Sequence, residues 1–495
     1  MNIRMTVHIL GWVTCFEGLF LLPSCLVALV YQESEGMVYL ALAALYLALG
    51  YAIAAGRKRP ASGQFYARDG FVCVALTWIL ISVLGALPFI FTGDIPDPID
   101  AIFETASGFT TTGATILSDV EALSKSSLFW RSFTHWLGGM GILVFMMAIL
   151  PLSSGRNIHL MRAESPGPSV EKMVPKVRQS AALLYVIYTV LTLAELLLLL
   201  AGGMPFFEAI TTSFSTAGTG GFAVLNSNMS GYSPYLQYVV TIFMLLFGIN
   251  FNVYYLLLLH KFRTALLYEE MRWYLIVIAA ATALIMWDIR NLFPTLEEVF
   301  RHSAFQVVSI ITTTGFMSVD FDLWPKLSHT VLILLMFIGA CAGSTGGGIK
   351  VSRWIILFKY LRTELRRLMH PRMISRFRLN GAVVGEEMIR SMLLYLVAYF
   401  LTFVLSLMVV SLEGYDLVTN FSALATCYNN VGPGLNLVGP TLNFSFYSSL
   451  SKLVFTADML LGRLEVIPLL VLVSAASGSI RRRLPGRGGR NRTAD

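Results

Sequence analysis

Long apolar runs alternate with short polar connections along nearly the whole chain. Two runs come first, at about 7–32 and 36–56, joined by the acidic turn Glu33-Ser34-Glu35-Gly36. The basic stop Arg57-Lys58-Arg59-Pro60 follows, then a third run from about Gly70 to Phe91. About twenty apolar residues cross a bilayer core, so these runs predict transmembrane helices. A different pattern comes next. After the acidic, Pro-rich segment Asp94 to Asp100, an amphipathic run from Ala101 to Phe109 is too short to cross. It leads into the uncharged stretch Ser107-Gly108-Phe109-Thr110-Thr111-Thr112-Gly113-Ala114-Thr115, and a return span covers about 130–150.

This unit of span, half-helix, Thr/Gly loop and span recurs about a hundred residues apart, and internal repetition outranks local propensity as a fold signal. The second copy reads as a span near 180–201, a half-helix Pro205 to Phe214, a loop at 215–222 and a span near 235–259. The third has a span near 273–289, a half-helix Pro294 to Ile310, a loop at 312–316 and a span from about Leu327. The fourth has a span near 388–411, a half-helix Asp416 to Ala425, a loop at 428–434 and a span near 447–477. The expected fold is an all-α polytopic membrane protein of about ten spans, with four channel-like repeats behind two N-terminal helices. The units divide as 1–60, 61–155, 156–262, 263–370 and 371–480, with a basic tail at 481–495 expected to be disordered.

Composition agrees. The 495 residues are 56% hydrophobic and only 13% charged, with mean hydropathy +0.69, whereas a soluble domain carries about a quarter charged residues. The net charge of +7 does not point to nucleic acid, because the basic residues cluster in short loops between apolar runs. With a cytoplasmic N-terminus, the inner loops are 57–68, 152–178, 260–272, 353–386 and the tail from Arg481; they hold nearly all the loop Lys and Arg. The opposite loops carry Asp94, Asp97, Asp100, Asp119, Glu121, Glu297, Asp320, Asp322, Glu413 and Asp416, an acidic mouth that concentrates cations. Both termini are then cytoplasmic, and all four Thr/Gly loops face outward. The first run is too long for a signal peptide and lacks a small-residue cleavage site, so it reads as a retained helix. Cys15, Cys25, Cys73, Cys341 and Cys427 show no metal or disulfide spacing and read as packing.

Irregular backbone at membrane depth is tolerated only inside protein or along a wet cavity. Four half-helices entering from one side aim their negative dipole ends at a common centre. Glycine reaches the backbone angles that turn successive carbonyls inward, and a ring of oxygens can replace a cation's hydration shell. The loops lack carboxylates, which disfavours a divalent site of the acidic-ring type. The pattern therefore predicts a monovalent-cation selectivity filter made by four unlike loops.

At these residues the sequence resembles the membrane subunits of bacterial Trk potassium-uptake systems, within the Trk/Ktr/HKT superfamily. The filter stretch carries the resemblance, with Phe133-Thr134-His135-Trp136-Leu137-Gly138-Gly139-Met140-Gly141, Ala342-Gly343-Ser344-Thr345-Gly346-Gly347-Gly348-Ile349-Lys350 and Asp458-Met459-Leu460-Leu461-Gly462-Arg463-Leu464-Glu465. It covers nearly the whole chain. It implies potassium uptake across the inner membrane, a homodimer with one pore per protomer, and a separate cytosolic nucleotide-binding (NAD- or ATP-sensing) regulatory ring. It also implies K+ as the transported ion, held at Thr111, Thr112 and Gly113, at Thr313, Thr314 and Gly315, and at Asn430, Val431 and Gly432. In the second loop two registers are open. Counting from the preceding Phe selects Thr216 and Ala217 before Gly218; matching the Gly-Phe ending selects Thr219, Gly220 and Gly221, which Gly315-Phe316 favours. Gly113 leans towards K+, because Na+-preferring relatives tend to have Ser there, although loops this irregular suggest modest selectivity.

The glycine-dense run Gly339 to Lys350 cannot hold a stable helix. The resemblance implies an intramembrane gate loop with Gly343, Ser344, Thr345, Gly346, Gly347, Gly348 and Lys350, together with Arg463; close helix packing through small residues is the plainer reading. Arg463 and Asp458 are intramembrane charges, which are usually functional, with an ion pair to Asp458 or Glu465 as the structural alternative. Lys350 reads as snorkelling to the cytoplasmic face, His135 as interfacial packing beside Trp136, and Glu17 and Glu195 as buried polar packing or function alike. The loop 353–386, with eight Lys or Arg, reads as a lipid-headgroup contact or, by the resemblance, as the docking surface for the regulatory ring. No dinucleotide-binding fingerprint appears, so nucleotide binding belongs to the separate chain. The rivals are a Na+ or mixed-cation transporter of the same superfamily and, further off, a polytopic membrane enzyme, for which no catalytic constellation is visible.

Overall fold

The computed structural model describes residues 3–56, 66–141, 177–370, 378–380 and 382–474. It opens with an antiparallel pair, α1 (Ile3–Tyr31) and α2 (Gly36–Ala55), followed by α3 (Ala67–Thr92), the short α4 (Pro98–Phe109) and α5 (Lys125–Met140). Then come α6 (Val177–Ala201), the short α7 (Phe206–Gly218), α8 (Pro234–Phe247), α9 (Phe251–Leu258) and α10 (Phe262–Leu266). The third group is α11 (Glu269–Ile289), the short α12 (Leu296–Ile311), α13 (Lys326–Ile338) and α14 (Val351–Met369). The last is α15 (Glu386–Val410), the short α16 (Leu417–Asn429) and α17 (Ser449–Arg463). A two-residue antiparallel pair, β1 (Arg378–Leu379) and β2 (Ala382–Val383), precedes α15.

The helix starts are written locally. Asp97 caps α4 by accepting from the amides of Ile99 and Asp100, with Pro98 in the first turn where its missing N–H does no harm. Thr295 and Asp416 cap α12 and α16 in the same way. The helices that follow three of the Thr/Gly loops are capped by serine: Ser124 for α5, Ser233 for α8 and Ser448 for α17.

Among the described residues, six helices are long and apolar enough to cross a membrane, or seven if the bent pair α8 and α9 is one span. The expectation of about ten is higher because it assumes unbroken second spans. The helices α5, α8, α13 and α17 stop after only 16, 14, 13 and 15 residues. The expected span 235–259 breaks at Gly248 to Asn250, where α8 and α9 meet at 90°. The expected span 447–477 breaks after Arg463, with Glu465 and Val466 at φ 57° and 67°. Gly248 and Asn250 interrupt the first and Arg463 and Glu465 the second, but the apolar residues on either side keep the averaged hydropathy high enough to hide both breaks. Of the expected span 130–150, residues 142–150 lie outside the described residues, as do 57–65 and most of the loop 152–178, and the tail 481–495. The segment 353–386 is not a loop throughout: its first half is the amphipathic helix α14.

The core lies where the four short helices meet their neighbours. Trp78, Trp130, Phe103 and Phe109 are fully buried there, and the Trp130 indole donates to the Gly85 carbonyl at 3.0 Å.

Candidate functional site

Each short helix ends in the same backbone motif. At α4 the Thr111 amide donates to the Gly108 carbonyl at 3.1 Å and the Thr112 amide to Ser107 at 2.9 Å. The matching pairs are Thr219 to Thr216 and Gly220 to Ser215 (2.9 and 2.8 Å), Thr313 to Ile310 and Thr314 to Ser309 (3.0 and 2.8 Å), and Asn430 to Cys427 and Val431 to Thr426 (3.4 and 2.9 Å). These are Schellman caps, which require a left-handed residue and normally use glycine there. Here the left-handed residues are Thr111, Thr219, Thr313 and Asn430, at φ 57°, 56°, 59° and 56°. A β-branched residue in that region is an outlier, costing about 1–3 kcal/mol, and such strain persists where the surroundings impose it.

Two residues on, Gly113, Gly221, Gly315 and Gly432 have φ 80°, 77°, 80° and 100°. Their empty Cβ positions close a circuit. A Cβ on Gly113 would strike the Gly220 carbonyl, one on Gly221 the Thr314 carbonyl, and one on Gly315 the Val431 carbonyl; one on Gly432 would lie 2.8 Å from the Thr112 carbonyl. The four loops thus meet in the order first, second, third, fourth and back to the first. The repeated geometry falls on Thr219, Gly220 and Gly221, while Thr216, Ala217 and Gly218 lie inside α7. All four glycines line one polar cavity of about 130 Å³, beside Thr115, Asn226 and Asn443. Thr111, Thr112, Thr313, Thr314, Asn430 and Val431 are wholly buried.

A polar scaffold holds the loops from behind. The buried pair Arg131 Nε and Glu104 Oε1 lies at 2.6 Å. Glu104 also accepts from the Thr115 hydroxyl at 2.9 Å and the Ile116 amide at 3.1 Å, so it fixes the exit of the first loop. Arg131 reaches the second loop, donating to the Ala223 carbonyl at 2.9 Å and lying 3.5 Å from the Phe222 ring centroid. His135 is not interfacial. It is fully buried, with Nδ1 donating to the Gly108 carbonyl at 2.7 Å and Nε2 accepting from the Phe222 amide at 3.3 Å. These partners fit the neutral tautomer. The Asn430 amide nitrogen donates to the Thr112 hydroxyl and to the Met459 carbonyl, both at 2.9 Å, tying the fourth loop to the first.

Between α13 and α14 the run Gly339 to Lys350 is irregular and packed against this ring. The Gly347 amide donates to the Thr313 hydroxyl at 2.6 Å, and a Cβ on Gly346 would lie 2.9 Å from the Thr312 carbonyl. The Glu270 carboxylate holds both limbs of the run, accepting from the Ala342 amide at 2.7 Å and the Ser352 amide at 3.0 Å. Lys350 does not snorkel. Its buried ammonium curls back onto the carbonyls of Gly346 and Gly347. The Arg463 guanidinium donates to the carbonyls of Thr345 (2.8 Å), Gly138 (2.5 Å) and Gly139 (2.7 Å), and to the Thr111 hydroxyl at 3.3 Å. It therefore joins the run, the first loop and the C-terminal end of α5, where the helix dipole favours a cation. Glu465 pairs with Arg353, which lies 3.9 Å from the Tyr395 ring centroid. Asp458 accepts from the Ser406 hydroxyl at 2.8 Å. Gly343, Ser344 and Gly348 complete the run, with Gly343 and Gly348 at φ 69° and 67°. Glu17 and Glu195 are fully buried.

Glu104, Arg131, Glu270 and Arg353 escape a reading of the sequence. A charge inside a long apolar stretch is the available signal for Arg131, but its partner lies 27 positions away.

The family model for TrkH, a cation transport protein, matches residues 41–482. The Trk system potassium uptake protein TrkH of Salmonella typhimurium is 37% identical over 482 residues, covering 95% of this chain and 98% of that one. The Trk system potassium uptake protein TrkG of Escherichia coli K12 is 33% identical over 483 residues, covering 96% and 98%. The crystal structure of the potassium transporter TrkH from Vibrio parahaemolyticus superposes with a TM-score of 0.84 at 31% identity, covering 96% of this chain and 99% of that one. With its helical architecture and full-length similarity in accord, the chain belongs to the TrkH family of cation transport proteins.

Proposed function

We propose that this protein carries K+ inward across the bacterial cytoplasmic membrane through the ring made by its four Thr/Gly loops. The observation that carries this reading is the closed circuit of glycines against carbonyls around one polar cavity. Each short helix brings a C-terminal end equivalent to about half a negative charge, so four ends favour a cation without any carboxylate in the loops. Carbonyls of residues 111–112, 219–220, 313–314 and 430–431 would replace the hydration shell, and the glycines at 113, 221, 315 and 432 let the strands approach closely enough to do so. The names of the relatives, Trk system potassium uptake proteins, support K+ as the substrate.

The run Gly343 to Lys350 is the gate in this reading. Its contacts with Thr312, Thr313 and Arg463 put it next to the ring, and Glu270 and Arg353 tie its limbs to other helices. The long basic α14 leaves the run directly, so a cytosolic nucleotide-binding regulatory ring docked there would pull on the gate. The Lys and Arg distribution supports cytoplasmic termini and outward loops. A homodimer of one-pore protomers completes the proposal.

The test is ion flux in proteoliposomes holding the purified protein, with K+, Rb+, Na+ and Li+ in turn. K+ and Rb+ should pass in preference to Na+ and Li+. Gly113→Ser should erode that preference, because its side chain would drive into the Gly220 carbonyl. Equal permeation of Na+ and K+ through the unaltered protein would overturn selectivity and favour the mixed-cation alternative.

A further inference from the structure

The 90° break between α8 and α9 leaves backbone groups that neither helix can pair. Gly248, Ile249, Asn250 and Phe251 are all buried, so these groups need partners. The carbonyls at the end of α8 can be followed one by one. Those of Leu245 and Leu246 accept from the hydroxyls of Tyr274 (3.4 Å) and Tyr254 (2.6 Å). The next two go to the glycine-dense run. Gly248 accepts from the Cys341 amide at 3.1 Å, and Phe247 from the Thr345 hydroxyl at 3.3 Å. At the start of α9 the Phe251 amide, a first-turn donor with no partner inside its own helix, donates to the Gly343 carbonyl at 3.0 Å. Cys341, Gly343 and Thr345, at every second position, thus complete the break.

The elbow is also fixed from within. Asn250 caps α9, its Oδ1 accepting from the Asn252 amide at 2.9 Å, while its Nδ2 donates to the Tyr268 hydroxyl at 3.3 Å. Elbow and run lie against the same end of α12. A Cβ on Gly248 would lie 2.9 Å from the Thr312 side chain, and one on Gly346 2.9 Å from the Thr312 carbonyl.

We infer that the elbow of the second repeat is the latch that holds the run under the ring, with the Phe251 amide and the Thr345 hydroxyl as its positioning groups. The run cannot leave Thr312 and Thr313 without stranding three buried polar groups or carrying α9 with it. Inside a bilayer a stranded backbone group is costly. Packing alone would need only bulk at this contact, whereas hydrogen bonds at alternate residues set a register. Control of transport then involves the second repeat as well as the third. The latch rests on the gate reading above; the pairing of elbow and run does not.

Proline at position 251 tests the amide. This is the first residue of α9, where proline fits. Asn250, at ψ 123°, already has the extended backbone that precedes a proline. Phe251→Pro loses the ring and the amide, whereas Phe251→Ala loses the ring and keeps the amide. In the full-length protein in detergent, hydrogen exchange across 339–352 should be about five-fold faster in Phe251→Pro than in Phe251→Ala, the effect of one hydrogen bond. Resting Rb+ tracer flux in proteoliposomes should be higher by a similar factor. Thr345→Val against Thr345→Ser makes the same comparison at the hydroxyl and leaves the backbone intact, so the test survives a proline variant that does not fold. Exchange and flux that match within each pair would overturn the latch. Arg463→Gln separates that failure from failure of the gate reading. If it raises flux while the pairs match, the gate stands and the latch falls. If neither it nor the pairs change flux, the gate reading falls and takes the latch with it.

Discussion

The glycine circuit makes a ranked prediction. Alanine at Gly113, Gly221, Gly315 or Gly432 adds one methyl group at a left-handed backbone position, a strain of about 1–2 kcal/mol. Against a native stability of about 5–15 kcal/mol, that alone leaves the protein folded. The larger effect is displacement of the facing carbonyl. Carbon and oxygen settle at about 3.3 Å. At Gly432 the new carbon starts 2.8 Å from the Thr112 oxygen, so that carbonyl must retreat by about 0.5 Å. At the other three positions the retreat is more than twice as far. If a displaced oxygen forfeits even about 1.4 kcal/mol of K+ over Na+ discrimination, selectivity falls tenfold. Gly113→Ala, Gly221→Ala and Gly315→Ala should therefore lose at least about tenfold in the ratio of Rb+ to Na+ tracer flux in proteoliposomes, and Gly432→Ala distinctly less. The refuting result is Gly432→Ala as damaging as the others, or any of the other three retaining full selectivity in protein that elutes as a folded species.

Other outcomes follow from the scaffold. Glu104→Ala strands the buried Arg131 and should destabilise by about 3–5 kcal/mol, seen as a lower unfolding temperature in detergent, whereas Lys326→Ala, on the exposed first turn of α13, should change it little. Arg463→Gln removes the charge that bridges Thr345 to Gly138 and Gly139; resting K+ flux should rise if the run at 343–350 is a gate, and unchanged flux in folded protein would count against it. The starts of two short helices give a pH dependence. The Thr419 hydroxyl holds the Asp416 carboxyl below its ordinary range, and the Arg301 guanidinium does the same for Glu297. A lowered folded-state pKa stabilises at pH above the ordinary carboxylate value and is lost as pH falls through the folded value. Unfolding temperature should thus hold steady down to about pH 5 and decline below about pH 4, less steeply in Asp416→Asn; a rise on acidification would contradict the sign.

The helices that span and the loops that interrupt them were legible in the sequence, because hydropathy and the Thr/Gly spacing are local properties. Thr111-Thr112-Gly113 and its echoes announce a backbone that needs left-handed angles, and four such segments stand out against apolar surroundings. Register in the second loop was harder, since Gly218, Gly220 and Gly221 all offer a glycine; only the cap at the end of α7 separates them. The breaks after α8 and α17 carry only short marks, Gly248 and Asn250 at one and Arg463 and Glu465 at the other, which the apolar residues on either side outweigh in any long window. Tertiary contacts impose them: the Cys341 amide donates to the Gly248 carbonyl, and a Cβ on Gly462 would strike the Tyr428 carbonyl. His135 and Lys350 were misplaced for a related reason. Each looks like a residue seeking water, and each instead finds backbone carbonyls across 27 residues of chain or within its own turn.

A ring closed by one polypeptide has a genetic consequence. In a channel assembled from four identical chains, one codon change alters every quadrant at once, and its effect enters four times over. Here the positions after the left-handed residue are Thr112, Gly220, Thr314 and Val431, and each can drift alone. If this ring is the proposed filter, its selectivity can be adjusted a quarter at a time, by single substitutions small enough for the other three quadrants to carry.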